Sequence, residues 1–345
     1  MAKNIVVFSD GTGQEGGKGP SSNVYKLFNM VEDRSARQVA FYDRGLGTGW
    51  RKLVGQATGL GISRNIKECY RFIFEEFESG DSIYLFGFSR GATTVRSLSG
   101  FIHLFGILPK SRPELIDQAY RIYKTDNREK RLDTAAAFVK MHHTMWCRVN
   151  FLGVWDTVAA LGIPIKALDL AIDQVPLFKH RFHDLTLSPC VEHAAQALAI
   201  DEERKIFQPM LWDPQIDKSY QRMQQVWFCG VHSDIGGGYQ DPQLSDITLE
   251  WMLAHAQARG LRIYPKYRLP LQPDPNGPMH DSREGLGRLY QKARRSWNTE
   301  TRGPLSIHSS VLQRNKNAHN TDTPPYHPWV LEQAHVVAEN PTPGL

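Results

Sequence analysis

Cysteine is scarce in this chain: Cys69, Cys147, Cys190 and Cys229 are widely spaced among 345 residues and form no Cys-x-x-Cys pair. This pattern fits reduced, mostly buried thiols and argues against a disulfide framework. Long apolar runs are also missing, and none approaches the roughly 20 residues of a membrane span. The N-terminal residues show no basic segment followed by an apolar stretch and a cleavage site. No signal peptide is therefore read, and the expectation is cytoplasmic synthesis and folding, compatible with export by a route that reads no cleaved signal. Internal repeats and low-complexity tracts are absent. The formal charge of +5 is modest, although basic residues concentrate in Arg121–Arg131 and Lys292–Arg295. Without an aromatic-interleaved basic stripe these read as solvated faces, not a nucleic-acid site. They remain compatible with weak peripheral contact to anionic lipid headgroups.

Against these absences, one stretch stands out. Ser82-Ile83-Tyr84-Leu85-Phe86 is an almost wholly apolar run that leads directly into Gly87-Phe88-Ser89-Arg90-Gly91-Ala92. The run suits a strand buried on both faces. Beyond it Ala92, Val95, Leu98, Ile102 and Phe105 keep helical spacing up to Gly106. Gly-x-Ser-x-Gly between a strand and a helix is the pattern of a nucleophile elbow, in which the serine takes a strained conformation and its oxygen is left exposed. The flanking glycines are needed because side chains there would collide with neighbouring backbone. The helix dipole and the N–H of Arg90 would face a developing oxyanion.

Five apolar strands are legible, each ending in a turn that carries glycine or aspartate: Asn4–Phe8, Gln38–Tyr42, Ser82–Phe86, Val149–Val154 and Val226–Cys229. Strands of this kind separated by helices predict a doubly wound sheet, hence an α/β, three-layer αβα sandwich with a mostly parallel sheet. One helix is expected from Ile62 to Phe77, with Ile62, Ile66, Cys69, Tyr70, Ile73 and Phe77 on one face. A second is expected from Leu244 to Ala258, capped at Ser245 or Asp246. Residues 108–145 and 161–225 fit the core pattern less well and are expected as helical cap insertions within a single domain spanning 1–345. Pro265–Pro278 reads as a surface loop and 340–345 as a frayed tail.

A serine nucleophile needs a base and an acid that orients it, and in α/β hydrolases these follow in the order Ser, Asp or Glu, His. Two strand-end aspartates follow Ser89. Asp234, counted two strands on, is in the usual place for the acid, and Asp156, one strand on, is the alternative. His308 comes last in the chain and is the expected base. His232, within Gly230–Tyr239, is its alternative and also respects chain order. The oxyanion donors are expected to be the N–H groups of Arg90 and of Gly11, in the turn Asp10-Gly11-Thr12-Gly13.

Rival chemistries lack essential residues. Phe8-Ser9-Asp10-Gly11-Thr12 partly matches a phosphatase Asp-x-Asp-Gly-Thr, but Phe8 replaces the nucleophilic aspartate. Gly13–Gly19 does not complete a phosphate loop. His180 with His183, or His232 with Asp234, could begin a metal site, yet no fuller ligand set accompanies either pair. No metal or cofactor is expected.

Together, Phe8-Ser9-Asp10-Gly11-Thr12-Gly13, Gly87–Ala92, Gly153-Val154-Trp155-Asp156-Thr157-Val158, Gly230–Tyr239 and Ile307-His308-Ser309-Ser310-Val311 resemble a family of bacterial and fungal α/β-hydrolase domains. That family includes the type VI secretion lipase (phospholipase) effectors of the first class. The resemblance implies an α/β-hydrolase fold and an esterase with a Ser-Asp-His triad. For the effector branch it implies phospholipase A activity on membrane lipids and a secretion-system partner. The expected function is therefore cleavage of a carboxylic ester, most readily that of a lipid or phospholipid, through an acyl-enzyme on Ser89. Trp212, Phe178 and Phe182 are candidates to contact the acyl chain. A non-catalytic binding domain on the same fold, or an acyltransferase, is the alternative.

Overall fold

The computed structural model describes residues 2–11, 19–45, 60–158, 186–318 and 325–341. Nine strands form one sheet: β1 (Asn4–Ser9), β2 (Arg34–Ser35), β3 (Gln38–Asp43), β4 (Ser82–Phe88), β5 (Val149–Trp155), β6 (Val191–Ala199), β7 (Arg222–Phe228), β8 (Leu305–His308) and β9 (His335–Ala338). Their order is β2-β3-β1-β4-β5-β6-β7-β8-β9, and only the short β2 runs antiparallel to its neighbour. The five expected strands are all present. The four missed ones include β6, which is polar at its first turn, and β8, which is four residues long.

Alternation along the strands divides the core in two. Ile5, Val7, Ile83, Leu85, Leu152 and Val154 face one layer, together with helices α2 (Leu60–Glu76), α3 (Arg90–Phe105), α4 (Leu115–Tyr123) and α5 (Arg128–His142). Val6, Phe8, Tyr84, Phe86, Phe151 and Trp155 face the other, against α1 (Asn23–Met30) and α7 (Gln243–Gln257). This is the period-two signature of strands covered on both faces. Burial of each large apolar side chain contributes about 2 kcal/mol. The expected apolar face of α2 is buried from Ile62 to Phe77, and α3 ends at Gly106, whose φ is 62°. The cap expected for α7 is corrected: Pro242 occupies that position, while Asp246 accepts from Lys26 Nζ and Gln272 N.

Neither described part of the two expected cap insertions has the character of a cap. Leu115, Ile116, Tyr120, Tyr123 and Phe138 from the first pack into the same core as the strands, so α4 and α5 extend the helical layer. The second contains β6 in the middle of the sheet, and Trp212 is 1% exposed beneath the Arg96 guanidinium, 4.6 Å from its ring centroid. Residues 161–185, with Phe178, Phe182, His180 and His183, lie outside the described residues, as do 342–345 of the expected tail. All four cysteines are free and buried.

The sheet positions the site by reversing direction. β1 is flanked by β3 on one side and β4 on the other, so the connections leave it in opposite directions and open a crevice at the carboxyl ends of the strands. Ser9 pairs with Gly87 and Phe88 with Trp155, which brings the turns after β1, β4 and β5 side by side. The β4 turn tolerates no side chain at its glycines. A Cβ on Gly91 would meet Ser9 O at 2.0 Å, and one on Gly87 would meet Gly91 O at 2.5 Å. Gly91→Ala should therefore cost more than about 3 kcal/mol or prevent folding, a size reserved for overpacking against rigid backbone. Soluble yield and urea denaturation would measure it, and a variant within about 0.5 kcal/mol of wild type would contradict the close approach.

Candidate active site

Ser89 follows β4 with φ 58° and ψ −120°, a strained conformation for a residue with a side chain. Its N–H is held by Trp155 O at 3.1 Å, and Gly91 lets the turn lie against β1. The side chain is thereby pushed out at the start of α3, where the first N–H groups of the helix have no intrahelical acceptor.

The residue facing Ser89 Oγ is His232, whose Nε2 lies 2.9 Å away. Its Nδ1 lies 2.6 Å from Asp156 Oδ2. His232 opens the short helix α6 (His232–Gly236) after β7, and Asp156 directly follows β5 with φ 40°. The imidazole is clamped between Phe88 and Phe207, with ring centroids at 4.7 and 4.9 Å, and its backbone N–H donates to Glu202 Oε2 at 3.3 Å. Ser89, His232 and Asp156 are 8%, 4% and 0% exposed, so the three polar groups meet in a nearly dry place.

Asp156 is the electrostatic centre of this arrangement. Arg295 Nη1 and Nη2 donate to its Oδ1 and Oδ2 at 2.6 and 2.8 Å, and Ala199 N donates to Oδ1 at 3.0 Å. Burial alone would raise its pKa, but the bidentate guanidinium reverses the sign and holds the carboxyl far below its ordinary range, with the His232 contact adding to the effect. Arg295 is itself 1% exposed and also donates to Ala199 O and Phe207 O at 2.8 and 2.6 Å. The reading of Lys292–Arg295 as a wholly solvated face is thus corrected at its last member. Nothing in the local sequence distinguishes Arg295 from Arg294 beside it, whose side chain is 59% exposed.

The expected first choices for acid and base lie elsewhere. Asp234 caps α6 by accepting from Val231 N at 3.0 Å and is paired with His280 Nδ1 at 2.7 Å. His308 ends β8, stacks on Phe228 at 4.7 Å, and bonds Ser310 Oγ at 2.9 Å and Asn340 Oδ1 at 3.3 Å. The structure therefore corrects the pairing of Asp234 and His308 with Ser89 and brings the two alternatives, Asp156 and His232, together instead. The unread strand β6 enters between β5 and β7, so Asp234 follows the third strand beyond β4 and not the second.

Arg90 N–H begins α3 beside Ser89 and suits an oxyanion. Gly11 also lies against Ser89, where a Cβ would come 3.4 Å from Ser89 Cβ. Its N–H, however, donates to Asp10 Oδ1 at 2.7 Å, so the expectation that Gly11 is the second donor is corrected: that amide is already committed. Asp10 also accepts from Ser22 Oγ and, at 2.7 Å, from Tyr42 OH. Its carboxyl organises the turn that Gly11 was expected to serve.

Two buried carboxylates here yield opposite tests. Burial pushes Asp10 up to about 6 against the Ser22, Tyr42 and Gly11 donors. A group raised on folding contributes stability that is complete below its unfolded pKa and lost as pH rises through about 6, up to about 3 kcal/mol. Asp10→Asn should flatten that loss, so the difference in unfolding free energy between wild type and variant, measured in urea from about pH 4 to 8, should shrink as pH rises. A pH-independent difference would contradict it. Arg295→Met should strand the Asp156 charge and cost about 3–5 kcal/mol by urea denaturation at neutral pH, while loss below about 1 kcal/mol would contradict the compensation.

The uncharacterized protein YEL023C of Saccharomyces cerevisiae is 30% identical over 237 residues, covering 61% of this chain and 33% of that protein. The crystal structure of an uncharacterized protein from Pseudomonas aeruginosa is similar with a TM-score of 0.46 and 16% identity, over 78% of this chain and 48% of that one. The structure of the Tle1 effector bound to the VgrG spike from the type 6 secretion system is similar with a TM-score of 0.40 and 16% identity, over 78% of this chain and 76% of the other. The chain thus spans about a third of the yeast relative and about half of the Pseudomonas protein. Residues 3–255 match the model described as T6SS, phospholipase effector Tle1-like, catalytic domain, and the chain belongs to that family.

Proposed function

We propose that this protein is a serine hydrolase of phospholipase type that cleaves a carboxylic ester through an acyl-enzyme on Ser89. The observation that carries the reading is the unbroken line Ser89 Oγ, His232 Nε2, His232 Nδ1, Asp156 Oδ2, with separations of 2.9 and 2.6 Å at its two hydrogen bonds. Family membership supplies the substrate class, a phospholipid ester. A secretion-system partner belongs to the same proposal, by analogy with the Tle1 effector that was solved on a VgrG spike.

In this mechanism Ser89 Oγ attacks the ester carbonyl carbon while its proton passes to His232 Nε2. The carbonyl electron pair moves to oxygen, and the Arg90 N–H at the positive end of α3 faces that oxyanion. His232 then returns the proton to the departing alkoxide, leaving the acyl group on Ser89. Water, deprotonated by the same nitrogen, releases the fatty acid and restores the serine. Asp156 keeps Nδ1 of the imidazole protonated and stabilises the imidazolium that forms transiently. Phe88 and Phe207 prevent the ring from swinging out of line.

Hydrolysis of fluorogenic phospholipids and of short- and long-chain nitrophenyl esters tests this assignment. Ser89→Ala and His232→Ala should each lower kcat by about 10⁴-fold or more, and Asp156→Asn by about 10²- to 10⁴-fold. His308→Ala should stay within about threefold of wild type when the folded fraction is matched. If His308→Ala is as damaging as His232→Ala, the assignment of the base fails; if Ser89→Ala keeps its activity, the whole mechanism does.

A further inference from the structure

Among the described residues, three carboxylates near the site have cationic or imidazole partners. Asp156 is held by Arg295, Glu202 by Arg204 at 2.8 Å, and Asp234 by His280. Arg90 is different. It follows Ser89 directly and is half-buried, yet among the described residues its guanidinium has no hydrogen-bond or ion-pair partner. Burial lowers its pKa to about 10, and Tyr290 is the one titratable neighbour that acts against this. Tyr290 in turn lies beside Phe207, with ring centroids 6.1 Å apart, and Phe207 packs on His232. Tyr290 and Phe207 therefore stand beside the imidazole, and Arg90, next in the chain to Ser89, lies within electrostatic reach of Tyr290.

A guanidinium partly withdrawn from water without an acceptor loses hydration for no return. Arginine has five donors in a planar fork that fits two oxygens of a phosphate. The same residue offers its backbone N–H to the ester oxyanion, so anything its side chain binds is tethered at a fixed reach from the scissile carbonyl. In a glycerophospholipid the path from an acyl carbonyl carbon through the glycerol to phosphorus is about as long as the arginine side chain.

We propose that the Arg90 guanidinium binds the phosphodiester oxygens of the substrate and so selects phospholipid over neutral lipid esters. This assignment rests on the serine-hydrolase reading above and names the group within that site that reads the headgroup. It requires nothing of the headgroup beyond the phosphate.

Steady-state kinetics on a phosphatidylcholine and a diacylglycerol with the same acyl chains, in mixed micelles, separates the possibilities. Arg90→Gln keeps the backbone N–H. It should lower the ratio of kcat/KM for phospholipid to that for diacylglycerol by about 10- to 100-fold, mainly through KM, with Arg90→Lys in between. sn-Glycero-3-phosphocholine should inhibit wild type competitively, and the glutamine variant several-fold less. Inorganic phosphate should inhibit wild type more weakly than the diester; equal or stronger inhibition would make this a free-phosphate site and overturn the lipid assignment. An unchanged selectivity ratio in Arg90→Gln, with wild type active on phospholipid, overturns the role of Arg90 while leaving the phospholipase reading intact. A wild type that cleaves diacylglycerol and no phospholipid overturns that reading, and the proposal with it.

Discussion

The rest of the site depends on a single buried ion pair. Asp156 sits at the end of a central strand with no access to water, and a carboxylate there is tolerable only because Arg295 meets both of its oxygens. With the charge secured, the carboxylate can fix the imidazole, and the imidazole can face the serine. Without it, burial would favour the protonated acid, which is a poorer partner for His232 Nδ1–H. The pair also joins distant parts of the chain: Arg295 bonds the carbonyls of Ala199, at the end of β6, and Phe207, whose ring packs on His232. One guanidinium thus sets the charge of Asp156 and the position of an aromatic that confines the His232 ring.

Geometry around Ser89 is secured by a different means, contact between backbones. Gly87 and Gly91 bring β4, α3 and the end of β1 closer than any side chain permits, and the resulting turn holds Ser89 at positive φ. The strain at that residue is offset by two flanking core layers that leave the strand nowhere else to go.

Much of this was legible in the residues. The elbow, the apolar strands and the helical stripe after Ser89 declare themselves through local periodicity and glycine placement, which need no knowledge of what packs on them. The choice between Asp156 and Asp234 did not, because it depends on how many strands intervene, and β6 begins Val191-Glu192-His193 before its small apolar residues, a sequence that does not alternate cleanly. His308 resembled a base because it ends a segment late in the chain, but in space it is stacked on Phe228 and tied to Ser310 and Asn340. Gly11 lies beside Ser89, while the commitment of its amide to its own neighbour's carboxylate is visible only in three dimensions. Arg295 was least legible of all, since its partner lies 139 positions away and nothing nearby marks it.

That separation bears on biosynthesis. Ser89, Asp156 and His232 fall within the residues that match the family, 3–255, whereas Arg295 and the strands β8 and β9 come after them. A nascent chain emerging from the ribosome exposes Ser89, Asp156 and His232 first, and at that stage the carboxylate of Asp156 lacks this counterion. The counterion arrives 63 residues after His232, just ahead of β8 and β9. The pairing that holds the Asp156 charge thereby waits on a residue synthesised after Ser89, Asp156 and His232.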